Sequence, residues 1–586
     1  MKKIFTFISV LITAVICGNK AFAAVDKVDF SDFKPDPAEW RNVTGTHLSW
    51  GTTDFSFYCY GVPQIDENKD LLLKGWRGEN VYAKAVIWTA EQRDSVYYKM
   101  SDLVGADGSV IKASDCEIGF MRNVISDYDA VIRNGCNKGK PEVGFKCDVT
   151  LVPDMIDPKY KKVDMHAMHT QCIWITCPIP ANDYVGDYKG SLKVYSKGEE
   201  LGTLNLTVRS LQHILPPPAD WKHYTAFWVH YYPVADYYKV PYWSKAHFKW
   251  LKLIYKRLYA AGQKNCRPSV CGPTDKKMVK WTLNEDGDWE FDYTVFDKFV
   301  EFSTECGMTG DIECAGLSHR KGNVFQYWDA ADGKSKKLTP GFEDSEYRKL
   351  LVTFIKDFSK HLKEKGWHER AMVSTDELGH DQNDFFIKSI RKGDPTLRIM
   401  TSSNHADVEL EEVFDNLSYA SHCKFDLDIL KERQAQGKPS TQYICCSETH
   451  PNRYVFSDPY ECTYISYNTF VKGLDGFLCW AVCWWSPWEM KDTRRAMFYS
   501  GEYAMFYPYD KTSQRWEKFI EGVQDYEKLH ILTEEYKKAG NKAALDELDM
   551  ALLPLKAMAW NDTRKDVFDR EAVPAAIAAV KELLNR

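Results

Sequence analysis

Ala371-Met372-Val373-Ser374-Thr375-Asp376-Glu377 is a run of small and apolar residues that ends in two adjacent carboxylates. An amphipathic segment, 344–365, precedes it, and a second, 384–392, follows. The order reads as helix, buried strand, acidic pair, helix. Strands of a parallel barrel present the residues at their C-terminal ends to the face where such barrels do chemistry. On an extended strand neighbouring side chains point to opposite faces. Asp376 and Glu377 therefore reach one pocket only if the backbone turns between them, as it does where a strand enters its loop. The competing reading makes Asp376 the cap of the next helix and Glu377 a solvated first-turn acid.

The alternation extends in both directions. Residues 224–229 read as a buried strand, and 244–262 as a helix with Ser244 as its cap and Gly262 as its stop. Further strands are expected at 265–270, 310–315, 398–401, 418–422, 442–446 and 476–480, with 316–341 as a long loop. With 371–375 these make eight strands interleaved with helices. That pattern predicts a closed (β/α)8 barrel of the TIM type over 221–530. Beyond it, 544–559 and 570–585 read as helices of a short C-terminal appendix spanning 531–586. Upstream, 24–215 is rich in short β-type runs separated by turn residues, such as Ser56-Phe57-Tyr58-Cys59-Tyr60. This predicts an all-β sandwich. Leu215-Pro216-Pro217-Pro218 stiffens the chain at the boundary.

Composition narrows the function classes. A hydrophobic content of 44% and a charged content of 27% fit a globular protein. Lys2 and Lys3, the apolar run 4–17 and Ala21-Phe22-Ala23 form a signal-peptide pattern, 1–23, so export to the periplasm or medium is expected. Ile16 before Cys17 is bulky for a lipid-anchor motif, which makes a surface lipoprotein the lesser reading. No later apolar run has the length of a membrane helix. The net charge is −7 with no basic run, so no nucleic-acid partner is expected. The 17 cysteines lie in strand-like runs without zinc-site spacing, and buried free thiols are the expectation. Neither a metal nor another cofactor is expected, as phosphate-loop and dinucleotide patterns are missing too.

Two acids in one pocket are what cleavage of a glycosidic bond uses. The 14% aromatic content suits sugar faces, although filling cores explains most such rings. Four ordered motifs sharpen the reading. They are Thr375-Asp376-Glu377; Asp475-Gly476-Phe477-Leu478-Cys479-Trp480 with Trp484, Trp485 and Pro487-Trp488; Gly501-Glu502-Tyr503-Ala504-Met505-Phe506-Tyr507-Pro508; and Arg515-Trp516-Glu517 with Glu521-Gly522-Val523-Gln524-Asp525-Tyr526-Glu527. Together they resemble the β-N-acetylgalactosaminidases of glycoside hydrolase family 123. The run 519–526 departs from that family's usual Leu-Arg-Asp-Gly-Ile-Glu-Asp-Tyr, away from the acidic pair.

The resemblance implies a glycan substrate carrying β-linked N-acetylhexosamine and substrate-assisted retaining catalysis. In that scheme the sugar's 2-acetamido oxygen attacks the anomeric carbon to form an oxazoline. Glu377 would be the general acid and then activate water. Asp376 would hold the acetamido N–H and stabilise the oxazolinium; its charge also favours the protonated form of its neighbour. Asn404, His405, Trp480, Trp485, Trp488, His230 and Tyr231 sit at expected strand ends and are further substrate-binding candidates, against turn and core roles. Two other readings stand beside this one. One is a conventional retaining glycosidase with Glu377 as acid/base and Glu448 as nucleophile. The other is a non-catalytic glycan-binding protein.

Overall fold

The computed structural model describes residues 28–586 except 129–147, 272–276, 319–324, 343, 496 and 566–567. The expected signal peptide lies outside the described residues.

The N-terminal region is built from two sheets. One orders Thr46–Gly51, Asn80–Thr89, His169–Pro178, Glu117–Tyr128 and Asp148–Asp157, all antiparallel. The other orders Asp70–Arg77, Glu199–Ile214, Gly186–Ser196, Arg93–Met100 and Lys162–Met165. Alternate residues of facing strands, Val81, Ala83, Ala85 and Ile87 against Leu192, Val194, Leu204 and Leu206, share one core. This is the two-residue period read out as burial.

The second region holds a curled parallel sheet of seven strands. Their order is Tyr224–Phe227, Gly476–Cys479, Ser440–Tyr443, Asn416–Ala420, Arg398–Ser403, Ala371–Asp376 and Ile312–Cys314. Helices cover the connections, among them Lys245–Ala260, Ser345–Glu364, His380–Gly393 and Tyr460–Val471. Ser244 caps the first through a hydrogen bond from His247 N, and Asp344 caps the second by accepting from Glu346 N.

Two expectations need correction. Residues 265–270 are not a strand; isolated bridges join Cys266 to Ile312 and Ser269 to Ala315, just past the Ile312–Cys314 edge strand. Pro268 has no N–H to give a ladder. Nor does a ladder among the described residues join this segment to Tyr224–Phe227, so the closed eight-stranded barrel is not formed. Side-chain amides span the seam instead. Gln263 accepts from Phe227 N at 2.9 Å and donates to Phe227 O at 3.1 Å, and Asn265 donates to Thr225 O at 3.2 Å. The expected long loop at 316–341 contains a hairpin, Phe325–Asp329 with Lys334–Leu338. It joins Lys280–Leu283 and Trp289–Asp292 in a small four-stranded sheet. Its second strand is lysine-rich, which hid it from a hydrophobic reading.

One helix, Gln514–Ala539, ties these parts together, and the expected boundary at residue 530 falls inside it. Just before it, Thr512 and Ser513 pair with Ile156 and Met155 and so extend the first N-terminal sheet. Gly522 allows the helix to lie against Tyr460–Val471, since a Cβ there would stand 2.6 Å from Thr463 O. Arg515 donates to Asp154 at 2.9 Å, Lys528 pairs with Glu79 at 2.7 Å, and Gln524 bonds both N and O of Asn80. Lys581 of the C-terminal helix Ala572–Leu584 reaches Glu521 at 2.5 Å.

Glu517 on this helix accepts from Thr512 and Thr176. Burial, then the nearby Glu117 carboxylate, pushes its pKa up to about 7. Unfolded, a glutamate titrates near ~4.3. Between those values the folded chain keeps a proton that the unfolded chain releases, so this group's contribution to stability falls as pH rises through the window. Glu517→Gln is expected to flatten the dependence of Tm on pH and to raise Tm above wild type at about pH 8. Scanning calorimetry across that range tests it; a Tm difference that does not vary with pH counts against the assignment.

Candidate active site

The C-terminal ends of the parallel strands surround a cavity of about 230 Å³. Trp228, Asp376, Glu377, Ser402, Tyr443 and Trp480 line it, with Glu502 on a later loop. The sheet ends at Asp376, and Glu377 takes a left-handed conformation, φ +48°. That turn is what lets neighbours on the chain face the same space. The following helix is capped by Gly379, which removes the capping role for Asp376.

Each acid is held by a hydroxyl from another strand of the same sheet, Ser402 from the neighbouring one and Tyr443 from two strands further on. Ser402 Oγ donates to Asp376 Oδ1 at 2.6 Å, and Tyr443 OH donates to Glu377 Oε1 at 2.9 Å. Glu377 N donates to Ser402 O at 2.7 Å, which continues the sheet one residue past its last ladder pair. Burial raises the Tyr443 phenol well above its ordinary range, so it serves as a donor. The opposite wall is aromatic. Trp480 packs edge-on against Tyr503 and Phe498, and the Arg267 guanidinium lies 3.5 Å from the Trp228 ring centre.

Of the expected substrate-binding residues, Trp480 alone joins the two acids on the cavity wall. His230 sits behind Trp480, donating from Nε2 to the Trp480 carbonyl at 2.8 Å; burial lowers its pKa to about 4 and keeps the ring neutral. Tyr231 begins the helix Tyr231–Tyr238 and donates its hydroxyl to Arg267 O within the core. Trp485 is also core, its indole N–H bonded to Phe506 O at 2.8 Å. Trp488 is 37% exposed and off the cavity wall. Asn404 and His405 are exposed on the loop after Arg398–Ser403 and bond each other at 3.0 Å.

Glu448 lies beneath this loop layer, completely buried and not on the cavity wall. It takes hydrogen bonds from His422 Nδ1 at 2.7 Å, Cys445 N at 2.9 Å and Ser447 Oγ at 3.0 Å. Burial opposes charge on His422, but Cys423 and Glu448 outweigh it and bring its pKa to about 10. The imidazole is therefore protonated at neutral pH.

Sequence reading alone missed Trp228, Ser402, Tyr443 and Glu502. Ser402 and Tyr443 are ordinary strand residues, and only the register sets their hydroxyls beside the acids. Glu502 did leave a signal, since it is a lone acid in the otherwise apolar run 499–508. Cys446, also on the wall, is disulfide-bonded, whereas its neighbour Cys445 is free and half-buried and most other described cysteines are free and buried. Among the described residues no group of three or more His, Cys, Asp or Glu is placed to hold a metal ion. No helix there is long and apolar enough to cross a membrane.

A pair of carboxylates at the mouth of a curled parallel sheet, faced by aromatic rings, is glycoside hydrolase architecture. Comparison with known families agrees. The glycoside hydrolase 123 catalytic domain matches residues 228–532, and the glycoside hydrolase 123 N-terminal domain matches residues 50–196. The chain belongs to glycoside hydrolase family 123. A family 123 glycoside hydrolase from Clostridium perfringens, studied for glycolipid glycan hydrolysis, has the same fold: TM-score 0.79 at 21% identity over 92% of this chain and 97% of that one. A family 39 glycoside hydrolase from Bacteroides cellulosilyticus covers 78% of this chain and 82% of its own at 10% identity, with a TM-score of only 0.31. No curated protein matches.

Removing the Glu448 carboxylate strands a buried charged imidazole, and breaking such a pair costs roughly 3–5 kcal/mol. Glu448→Ala is expected to lower the midpoint of urea unfolding accordingly. An unchanged midpoint would show that the pair does not brace this layer.

Proposed function

We propose that the protein is an exported glycoside hydrolase that releases terminal β-linked N-acetylgalactosamine by substrate-assisted retaining catalysis. The observation that carries this reading is the placement of Asp376 and Glu377 in one cavity with different hydroxyl partners. In this reaction the substrate supplies the nucleophile, so the protein needs one residue to steer the acetamido group and one to move a proton. Asp376, fixed through Oδ1 by Ser402, takes the acetamido N–H on its other oxygen. It thereby turns the carbonyl oxygen toward the anomeric carbon and offsets the positive charge that develops on the oxazolinium. Glu377, oriented by Tyr443, protonates the leaving oxygen as the glycosidic bond breaks. It then removes a proton from the water that opens the oxazoline, with net retention. Trp480 and Trp228 give the sugar its apolar walls.

A conventional mechanism through Glu448 is disfavoured because that carboxylate is buried off the cavity and already takes three hydrogen bonds. A merely glycan-binding role gives no reason for an acid pair held by two separate hydroxyls. The signal-peptide pattern supports export, and the disulfide at Cys446 is at home in an oxidising compartment. The glycolipid glycans acted on by the Clostridium perfringens relative suggest the natural substrate class.

Nitrophenyl β-N-acetylgalactosaminide, its gluco epimer and the matching galactoside test the proposal. Turnover of the first, with the acetamido-free galactoside inert, is expected; the reverse order sinks the oxazoline mechanism. Glu377→Ala should lose about 10²- to 10⁴-fold on alkyl or glycosyl leaving groups and far less on nitrophenyl, which needs little protonation. Equal losses on both would remove Glu377 from the proton-transfer role.

A further inference from the structure

Glu502 lines the cavity yet is 1% exposed. Its Oε1 is fully engaged, accepting from Trp480 Nε1 at 2.6 Å and from Arg453 Nη2 at 3.2 Å. Its Oε2 is buried and accepts no hydrogen bond among the described residues. The carboxyl has no simple way to turn and satisfy that oxygen. Arg453 also donates to the carbonyls of Gly501 and Glu502, both at 2.9 Å, and so clamps the backbone that carries the side chain. Arg453 is itself fully buried. A buried acceptor without a donor costs roughly 1–3 kcal/mol. A rigid acceptor of this kind, on the wall of a cavity with two working acids, suits a ligand that brings a hydroxyl.

We infer that Glu502 is a specificity-determining residue: Oε2 accepts a hydrogen bond from one ring or exocyclic hydroxyl of the sugar bound beside Asp376 and Glu377. This rests on the N-acetylhexosaminidase reading above and adds the hydroxyl recognition that reading leaves open. Trp480 then has two functions. Its face walls the sugar, and its N–H aims the carboxylate. Loss of a hydroxyl from the substrate would leave Oε2 buried and unpaired in the complex, which is how polar sites reject deoxy analogues.

The test is a cycle between enzyme and substrate. Wild type and Glu502→Gln are each assayed on nitrophenyl β-N-acetylgalactosaminide and on its 3-, 4- and 6-deoxy analogues. The glutamine oxygen can still accept from Trp480 and Arg453, while its amide nitrogen replaces Oε2 with a donor. Glu502→Gln is expected to lose about 10- to 100-fold in kcat/KM on the parent, mainly through KM, as for a hydrogen bond to a charged group. One deoxy analogue should show a similar loss with wild type and no further loss with the variant. Losses that multiply independently for all three analogues overturn the assignment and make Glu502 a structural brace. A collapse of kcat at unchanged KM, whichever hydroxyl is present, overturns it in favour of a nucleophile. A wild type inert on all four substrates overturns the N-acetylhexosaminidase reading and this inference with it. Should Glu502→Gln fail to fold, Glu502→Asp enters the same cycle; it keeps the charge beside Arg453 and draws the carboxylate back by one methylene.

Discussion

The left-handed turn at Glu377 makes the site. Consecutive residues on a strand face apart, and here the chain leaves the sheet between two of them. A non-glycine residue in that conformation costs about 1–2 kcal/mol. It persists because its surroundings over-determine it: Glu377 N is held by Ser402 O, its carboxyl by Tyr443, and the helix beyond begins only at His380. Several independent contacts thus retain the strain.

The N-terminal region is part of this machinery. Asp154, buried in its first sheet, receives Arg515 through three hydrogen bonds at 2.9 to 3.1 Å. Burial opposes the charge on Arg515, and Asp154 overcomes it, holding the guanidinium ionised. The same guanidinium donates to the carbonyls of Arg453 and Ala504. Arg453 in turn grips Glu502. A chain of charge and hydrogen bonds thus runs from the β-rich region through the helix Gln514–Ala539 to the cavity wall. The cross-region strand pair at Thr512 and Ser513 fixes its start. Burial of so many ion pairs is poor evidence for stability; here it sets the orientation of a loop that no parallel strand supports.

Much of the fold was legible because its signals are local. Capping residues such as Ser244 and Asp344, the apolar strands and the two-residue alternation of the N-terminal region all act over a few residues. The failures came where an interaction partner was distant. Pro268 broke the strand expected at 265–270, and Gln263 and Asn265 took over its edge contacts, a substitution no periodicity reports. His230 and Tyr231 follow one strand, and Trp485 and Trp488 lie in the loop that Trp480 begins after another, yet packing took three of them into or behind the core and left Trp488 outside.

What the amino-acid sequence determined by itself is the existence of an acidic pair at a strand terminus and the kind of scaffold that carries it. Strand end, turn and helix start are written in neighbouring residues. The tertiary structure alone decided which side chains complete the cavity. Ser402, Tyr443, Trp228 and Glu502 lie far apart along the chain. Their meeting depends on sheet register, on the curl of the sheet and on the helix Gln514–Ala539 that holds the last loop in place. Register and curl are properties of the whole sheet, set by how its faces pack, and no window of sequence contains them.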